Sequence, residues 1–181
     1  MVGKYNIEVY NNRVHYQLTI KRNITIIQGD SGTGKTTLLG MIAAYERLGA
    51  SSGVILHCDC PCVVLGFADW ENYIRNVHGK IIFVEENMPF IKTKEFANAL
   101  DHSDNYFVLI YRDSLPQLAY SIEEIYGFRE NRDTQKYFKA KRVYNEMYQI
   151  HSLRQSEQFT PDCLITEDTN AGYDRVSSLF L

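Results

Sequence analysis

The sequence predicts one α/β domain of three layers, a mainly parallel sheet between helices, with an antiparallel β-hairpin at its N-terminal side. Three observations carry that expectation. Residues 24–28 form an apolar, β-branched strand that runs straight into a glycine-rich loop and then a helical pattern. Residues 81–84 and 106–111 are short apolar runs that alternate with helix-like segments, as strands buried on both faces do. Residues 5–10 and 14–20 alternate apolar and polar side chains on either side of Asn11-Asn12-Arg13, the signature of a hairpin. At 181 residues the chain suits a single domain, able to bury about 70% of its unfolded surface. The expected division is a hairpin over residues 1–23, a core over 24–128 and a strand–helix extension over 129–181.

Composition narrows the function classes. With 45% hydrophobic and 23% charged residues the chain has an ordinary globular make-up, and a net charge of −3 offers no global attraction to nucleic acid. No run approaches the ~20 apolar residues that span a bilayer, and residues 1–6 lack the apolar segment of a secretory signal, so a cytoplasmic protein without a membrane partner is expected. Three of the four cysteines fall in Cys58-Asp59-Cys60-Pro61-Cys62. Neighbouring residues of a strand face opposite ways and no second ligand pair stands at zinc-finger spacing, so small thiols near a strand end are favoured over a metal site.

The chemically informative stretch is Gly29-Asp30-Ser31-Gly32-Thr33-Gly34-Lys35-Thr36-Thr37. Gly29, Gly34, Lys35 and Thr36 fit G-x-x-x-x-G-K-[ST], in which small residues let backbone N–H groups turn inward around an anion at a helix N-terminus. Lys35 is placed to reach the β- and γ-phosphates of a nucleotide, and the Thr36 hydroxyl is a hard oxygen ligand suited to Mg²⁺. Leu38, Leu39, Met41, Ile42 and Tyr45 follow at helical spacing, with a stop expected at Gly49.

On these residues the chain resembles the P-loop NTPases, specifically over residues 24–39 and by pattern as far as Arg112. The hairpin leading into the loop strand is similar to the strands before the loop in ABC-type and related ATPases, where an aromatic stacks on the base; Tyr10 or Tyr16 could take that place, but an ordinary exposed strand aromatic is favoured over it. The run 81–84 followed by Glu85 and Glu86 resembles the four hydrophobic residues, Asp and Glu of ATPases with a catalytic glutamate. That resemblance implies a metal-supporting role for Glu85, here a glutamate in place of the usual aspartate, and a water-activating role for Glu86. It also implies that the strand ending at Arg112 lies between the loop strand and the acidic strand, carrying a polar sensor near its end. Arg112 is the residue for that place, with Asp113 and Ser114 as alternatives, and an arginine paired with Asp113 as the plain one.

The remaining elements follow from local pattern. Residues 53–58 read as a strand, 69–78 as a short helix anchored by Trp70 and ending at Gly79, and 93–100 as a helix opened by Thr93. Residues 115–127 read as a loop and a short helix. Between residues 129 and 142, Arg129, Arg132, Lys136, Lys139, Lys141 and Arg142 are interleaved with Tyr137 and Phe138, which suits either a nucleic-acid strand or a solvated face or protein interface. A last strand is expected over 162–168, where Glu167 and Asp168 end it, and a helix over 172–181.

The expected function is Mg²⁺-dependent binding and hydrolysis of ATP, working with a protein partner or as a homo-oligomer. The sequence lacks both the N-K-x-D of guanine-reading GTPases and the L-S-G-G-Q of ABC cassettes. A nucleotide-dependent switch with little turnover and a small-molecule kinase are the alternatives.

Overall fold

The computed structural model describes residues 3–29, 32–131 and 142–151, with backbone alone at 131 and 142–146. Among these residues nine strands share one sheet: β1 (Tyr5–Tyr10), β2 (Val14–Ile20), β3 (Ile24–Ile27), β4 (Ile55–His57), β5 (Cys62–Val64), β6 (Ile81–Val84), β7 (Tyr106–Ile110), β8 (Ile125–Asn131) and β9 (Arg142–Gln149). Their order is β4-β1-β2-β9-β8-β3-β7-β6-β5. Strands β8, β3, β7, β6 and β5 are mutually parallel. The hairpin β1–β2 and strand β4 form an antiparallel part, joined to the rest through β9, which runs parallel to β2 and antiparallel to β8.

The apolar runs explain this centre. Ile24, Ile26 and Ile27 are at most 2% exposed, and Ile81, Ile82, Phe83 and Val84 are fully buried. Because alternate side chains point to opposite faces, these strands need apolar cover on both. One face, with Ile27, Phe83 and Val108, packs on Leu38, Leu39, Met41 and Ile42 of helix α1 (Lys35–Leu48). The other face, with Ile26, Val84 and Leu109, packs on Ile74 of α2 (Trp70–Asn76) and on Phe96 and Leu100 of α3 (Lys94–Asp101). Helix, sheet and helix thus form three layers of a mixed α/β fold.

Local signals act as expected in several places. Asn11 Oδ1 accepts from the N–H groups of Arg13 and Val14 and closes the β1–β2 turn. Thr93 Oγ1 accepts from Phe96 N at 3.2 Å and caps α3. Helix α1 ends at Leu48, with Gly49 at φ 55° immediately after it. Trp70 stacks on Phe90 at 4.8 Å and meets Phe96 edge-on, which makes it the packing anchor expected of it.

Other expectations are corrected. The short helix read into residues 115–127 is a 3-10 turn, Ile122–Glu124, followed by the start of β8. Ile122, Ile125 and Tyr126 have helix-like spacing, but the backbone of 125–126 instead pairs with the free edge of β3. Strand β8 therefore crosses residue 128, where the core was expected to stop. The strand expected over 53–58 is the three-residue β4, an outer strand antiparallel to β1, and the next parallel strand is the unanticipated β5. Arg129 lies in β8 and Arg142 opens β9, whereas Arg132, Lys136, Tyr137, Phe138, Lys139 and Lys141 lie outside the described residues, as do Cys163, Glu167, Asp168 and the elements expected over 162–181.

Helix α1 touches both β4 and β5, the two ends of the strand order. Glu46 near its C-terminus accepts a hydrogen bond from Val64 N at 3.1 Å. The sheet consequently curls around α1. Among the described residues no helix is long and apolar enough to cross a membrane.

Candidate functional site at the C-terminal ends of the parallel strands

The chain leaves β3 and reverses into α1 through residues 28–34, where Gly29 has φ 140° and Gly34 φ 86°. At those angles a side chain is strained, so glycine at both ends of the loop sets its shape. A Cβ at Gly29 would meet Thr33 Oγ1 at 3.4 Å and Lys35 Nζ at 3.6 Å, ordinary contact distances, so the constraint there is the backbone angle and not space. Lys35 opens α1 and is only 7% exposed. Its ammonium donates to Gly29 O and to Thr33 Oγ1, both at 2.7 Å, and so points into the loop. Asp30 and Ser31 lie outside the described residues.

The loop has a brace from the antiparallel part of the sheet. Tyr16 of β2 is fully buried against Phe128, and its hydroxyl donates to Gly34 O at 2.8 Å. This corrects the expectation of Tyr16 as a base-stacking aromatic: its ring has no exposed face. Tyr10 is stacked on His15 at 5.1 Å.

Strand β7 separates β3 from β6, the order the resemblance implied. The register pairs Ile27 with Ile110 and Val84 with Leu109, so all three strands end at one level. Glu85 and Glu86, both half-buried, emerge there from β6. Arg112 follows β7, after Tyr111 N has donated to Ile27 O at 3.2 Å. Its Nε donates to Glu86 Oε2 at 3.1 Å, pairing the arginine with the second glutamate and not with Asp113.

A cleft of about 270 Å³ gathers these groups. Gly32, Thr33, Gly34, Lys35, Thr36 and Thr37 line it from the loop and α1; Glu85, Glu86 and Arg112 line it from the strand ends. Asp113 and Ser114, the alternative sensor residues, are exposed and do not line it. Sequence reasoning did not single out Asn87 and Val14, which also face the cleft, nor the bracing role of Tyr16. The alternation in β2 signals that Tyr16 points inward, but what it meets there is decided by tertiary structure.

The arrangement offers a buried ammonium, two glycines and threonine hydroxyls on one side, with two carboxylates and a guanidinium from the strand ends. Thr36 and Glu85 supply hard oxygen donors of the kind Mg²⁺ takes. Among the described residues no group of three or more His, Cys, Asp and Glu side chains could hold a metal by itself. A divalent ion between Thr36 and Glu85 would therefore draw further oxygens from a phosphate ligand or water, the usual habit of Mg²⁺. No protein-family model matches the chain, and neither a curated protein nor a solved structure matches it.

Proposed function

We propose that this chain is a P-loop NTPase that binds ATP with Mg²⁺ and hydrolyses it. The observation that carries the reading is the convergence of Lys35, Thr36, Glu85, Glu86 and Arg112 on one cleft at the ends of parallel strands. On triphosphate binding, the Lys35 ammonium exchanges Gly29 O and Thr33 Oγ1 for β- and γ-phosphate oxygens. The loop amides and the N-terminus of α1 add partial positive charge at the same place. Mg²⁺, when bound between Thr36 and Glu85, supplies neutralisation of charge on the phosphate oxygens. Glu86 orients a water for attack on the γ-phosphorus and accepts its proton.

The test is calorimetric titration with ATP and Mg²⁺, followed by phosphate release. Charge-assisted bonds contribute about 1.5–3 kcal/mol each, so loss of the Lys35 ammonium in Lys35→Ala should weaken binding by roughly a hundredfold or more. Unchanged affinity would overturn the reading.

One observation favours a second reading, a nucleotide-dependent switch with little turnover. The ion pair with Arg112 occupies Glu86 Oε2, so that oxygen is engaged and not facing a water while the pair persists. Nucleotide-dependent change in oligomeric state or partner binding, with ATP consumption unaltered by Glu86→Gln, would select the switch. Formation of ADP only with an added hydroxyl acceptor would select a kinase.

A further inference from the structure

We propose that His78 and His102 hold a divalent transition-metal ion of the zinc type in the cleft between α2 and α3. The inference is independent of nucleotide chemistry. His78 stands just before β6 and His102 just before β7, so this cleft lies at the N-terminal ends of those strands, whereas Glu86 and Arg112 emerge from their C-terminal ends.

The cleft, of about 320 Å³, is lined by both histidines and by Asp104. A buried amide holds the two segments that carry them side by side. Asn105, only 1% exposed, accepts from Lys80 N at 2.9 Å through Oδ1 and donates to Val77 O at 2.7 Å through Nδ2. Residues 77–80 are thereby fixed against the turn that precedes β7. Across this junction His78 Nδ1 lies 3.0 Å from Asp104 Oδ1. Asp104 follows His102 by two residues, which limits the separation of their Cα atoms to about 7 Å.

Both rings are held in one tautomer. His102 Nδ1 lies 2.8 Å from Asn98 O, and this carbonyl, like the Asp104 carboxylate, offers lone pairs and no hydrogen. Each Nδ1 is therefore the donor, and in the neutral ring Nε2 keeps its lone pair. Neither Nε2 has a hydrogen-bond partner among the described residues. Metal-binding histidines are oriented in just this manner, the second ring nitrogen donating to a carboxylate or a main-chain carbonyl. Here one ring has each kind of partner.

The charge around the rings favours a cation. Glu71, Glu95 and Asp104 line the cleft against Arg75 alone, and Arg75 is paired with Glu71 at 2.8 Å. His102 also follows the C-terminus of α3, where main-chain carbonyls present partial negative charge. Imidazole nitrogen suits Zn²⁺, Cu²⁺ and Ni²⁺, whereas Mg²⁺ prefers oxygen. Among the described residues no three metal-binding side chains converge, so the chain supplies two nitrogens and water completes the coordination. An ion joining His78 to His102 ties the end of α2 to the end of α3 and stabilises the fold that creates the site.

The experiment follows the imidazole nitrogens of the full chain by long-range ¹H–¹⁵N NMR at mildly alkaline pH, without nucleotide, as zinc chloride is added in excess of the cysteines. These signals report single rings, so zinc taken up by thiols does not enter the reading. Before zinc both rings should show the Nδ1–H tautomer, and zinc should then shift both Nε2 signals along one binding curve. His78→Ala and His102→Ala replace exposed side chains and so spare the fold; each should weaken the response of the remaining ring by about tenfold or more. Asp104→Ala, which removes an orienting carboxylate, should weaken zinc binding by about tenfold. Nε2 signals that excess zinc leaves unmoved, or a shift of one ring that keeps its parent affinity after loss of the other, overturns the proposal.

Discussion

Tyr16→Phe isolates one hydrogen bond between the antiparallel strands and the glycine-rich loop. The ring keeps its buried place beside Phe128, and only the donor to Gly34 O is lost. Gly34 O also accepts from Leu38 N at 3.0 Å, the first turn of α1, so the substitution leaves no orphaned carbonyl. The loss is then that of a net hydrogen bond, about 1 kcal/mol, and not the larger penalty of a stranded buried acceptor. For a domain of this size that lowers Tm by about 2–4 °C. The same 1 kcal/mol corresponds to roughly a fivefold weakening if the brace holds the loop in its binding shape. Urea denaturation gives the first figure and titration with ATP and Mg²⁺ the second. A denaturation midpoint equal to that of the parent chain would refute the brace; a lowered midpoint with unchanged affinity would refute its part in binding.

Further outcomes follow from other contacts. Glu86→Gln should retain ATP and slow phosphate release by about two orders of magnitude or more, the scale of a positioned base; an unchanged rate places the base elsewhere. Gly127→Ala should destabilise the fold by about 1 kcal/mol, because its Cβ would stand 2.5 Å from the Tyr148 ring and displace it from Arg129, 4.9 Å away; denaturation should show the effect vanish in a Tyr148→Ala background. Hydrogen bonding holds the Cys58 thiol down at about 7 and pushes the Cys62 thiol up, and iodoacetamide reacts with thiolates, so alkylation of Cys58 should rise through pH about 7 while Cys62 stays protonated and unreactive. Peptide mass spectrometry checks the order, and a Cys58 midpoint near the ordinary thiol value would contradict it.

The parts legible in the sequence are those whose signal is local. Glycine and lysine spacing marks Gly29 to Thr36, and short runs rich in apolar and β-branched residues mark β3, β6 and β7, because burial on both faces favours such side chains. Strand β5 escapes because three residues, one of them a cysteine, carry too little pattern. Strand β8 escapes because Ile122, Ile125 and Tyr126 sit at helix-like intervals and only the vacant edge of β3 decides for a strand. At the site, the glutamates and Arg112 are visible singly, yet the Arg112–Glu86 pair joins residues 26 positions apart through the insertion of β7 between β3 and β6. The link from Tyr16 to Gly34 is equally a product of the curled sheet.

The outermost strands of that sheet, β4 and β5, are each three residues long. Unpaired main-chain groups along a long flat border invite another chain to add a strand, and stubby borders discourage it. Among the described residues, both borders of this sheet are of the second kind. Association of two such molecules is thereby steered away from ribbon extension and toward contacts between helical or loop faces.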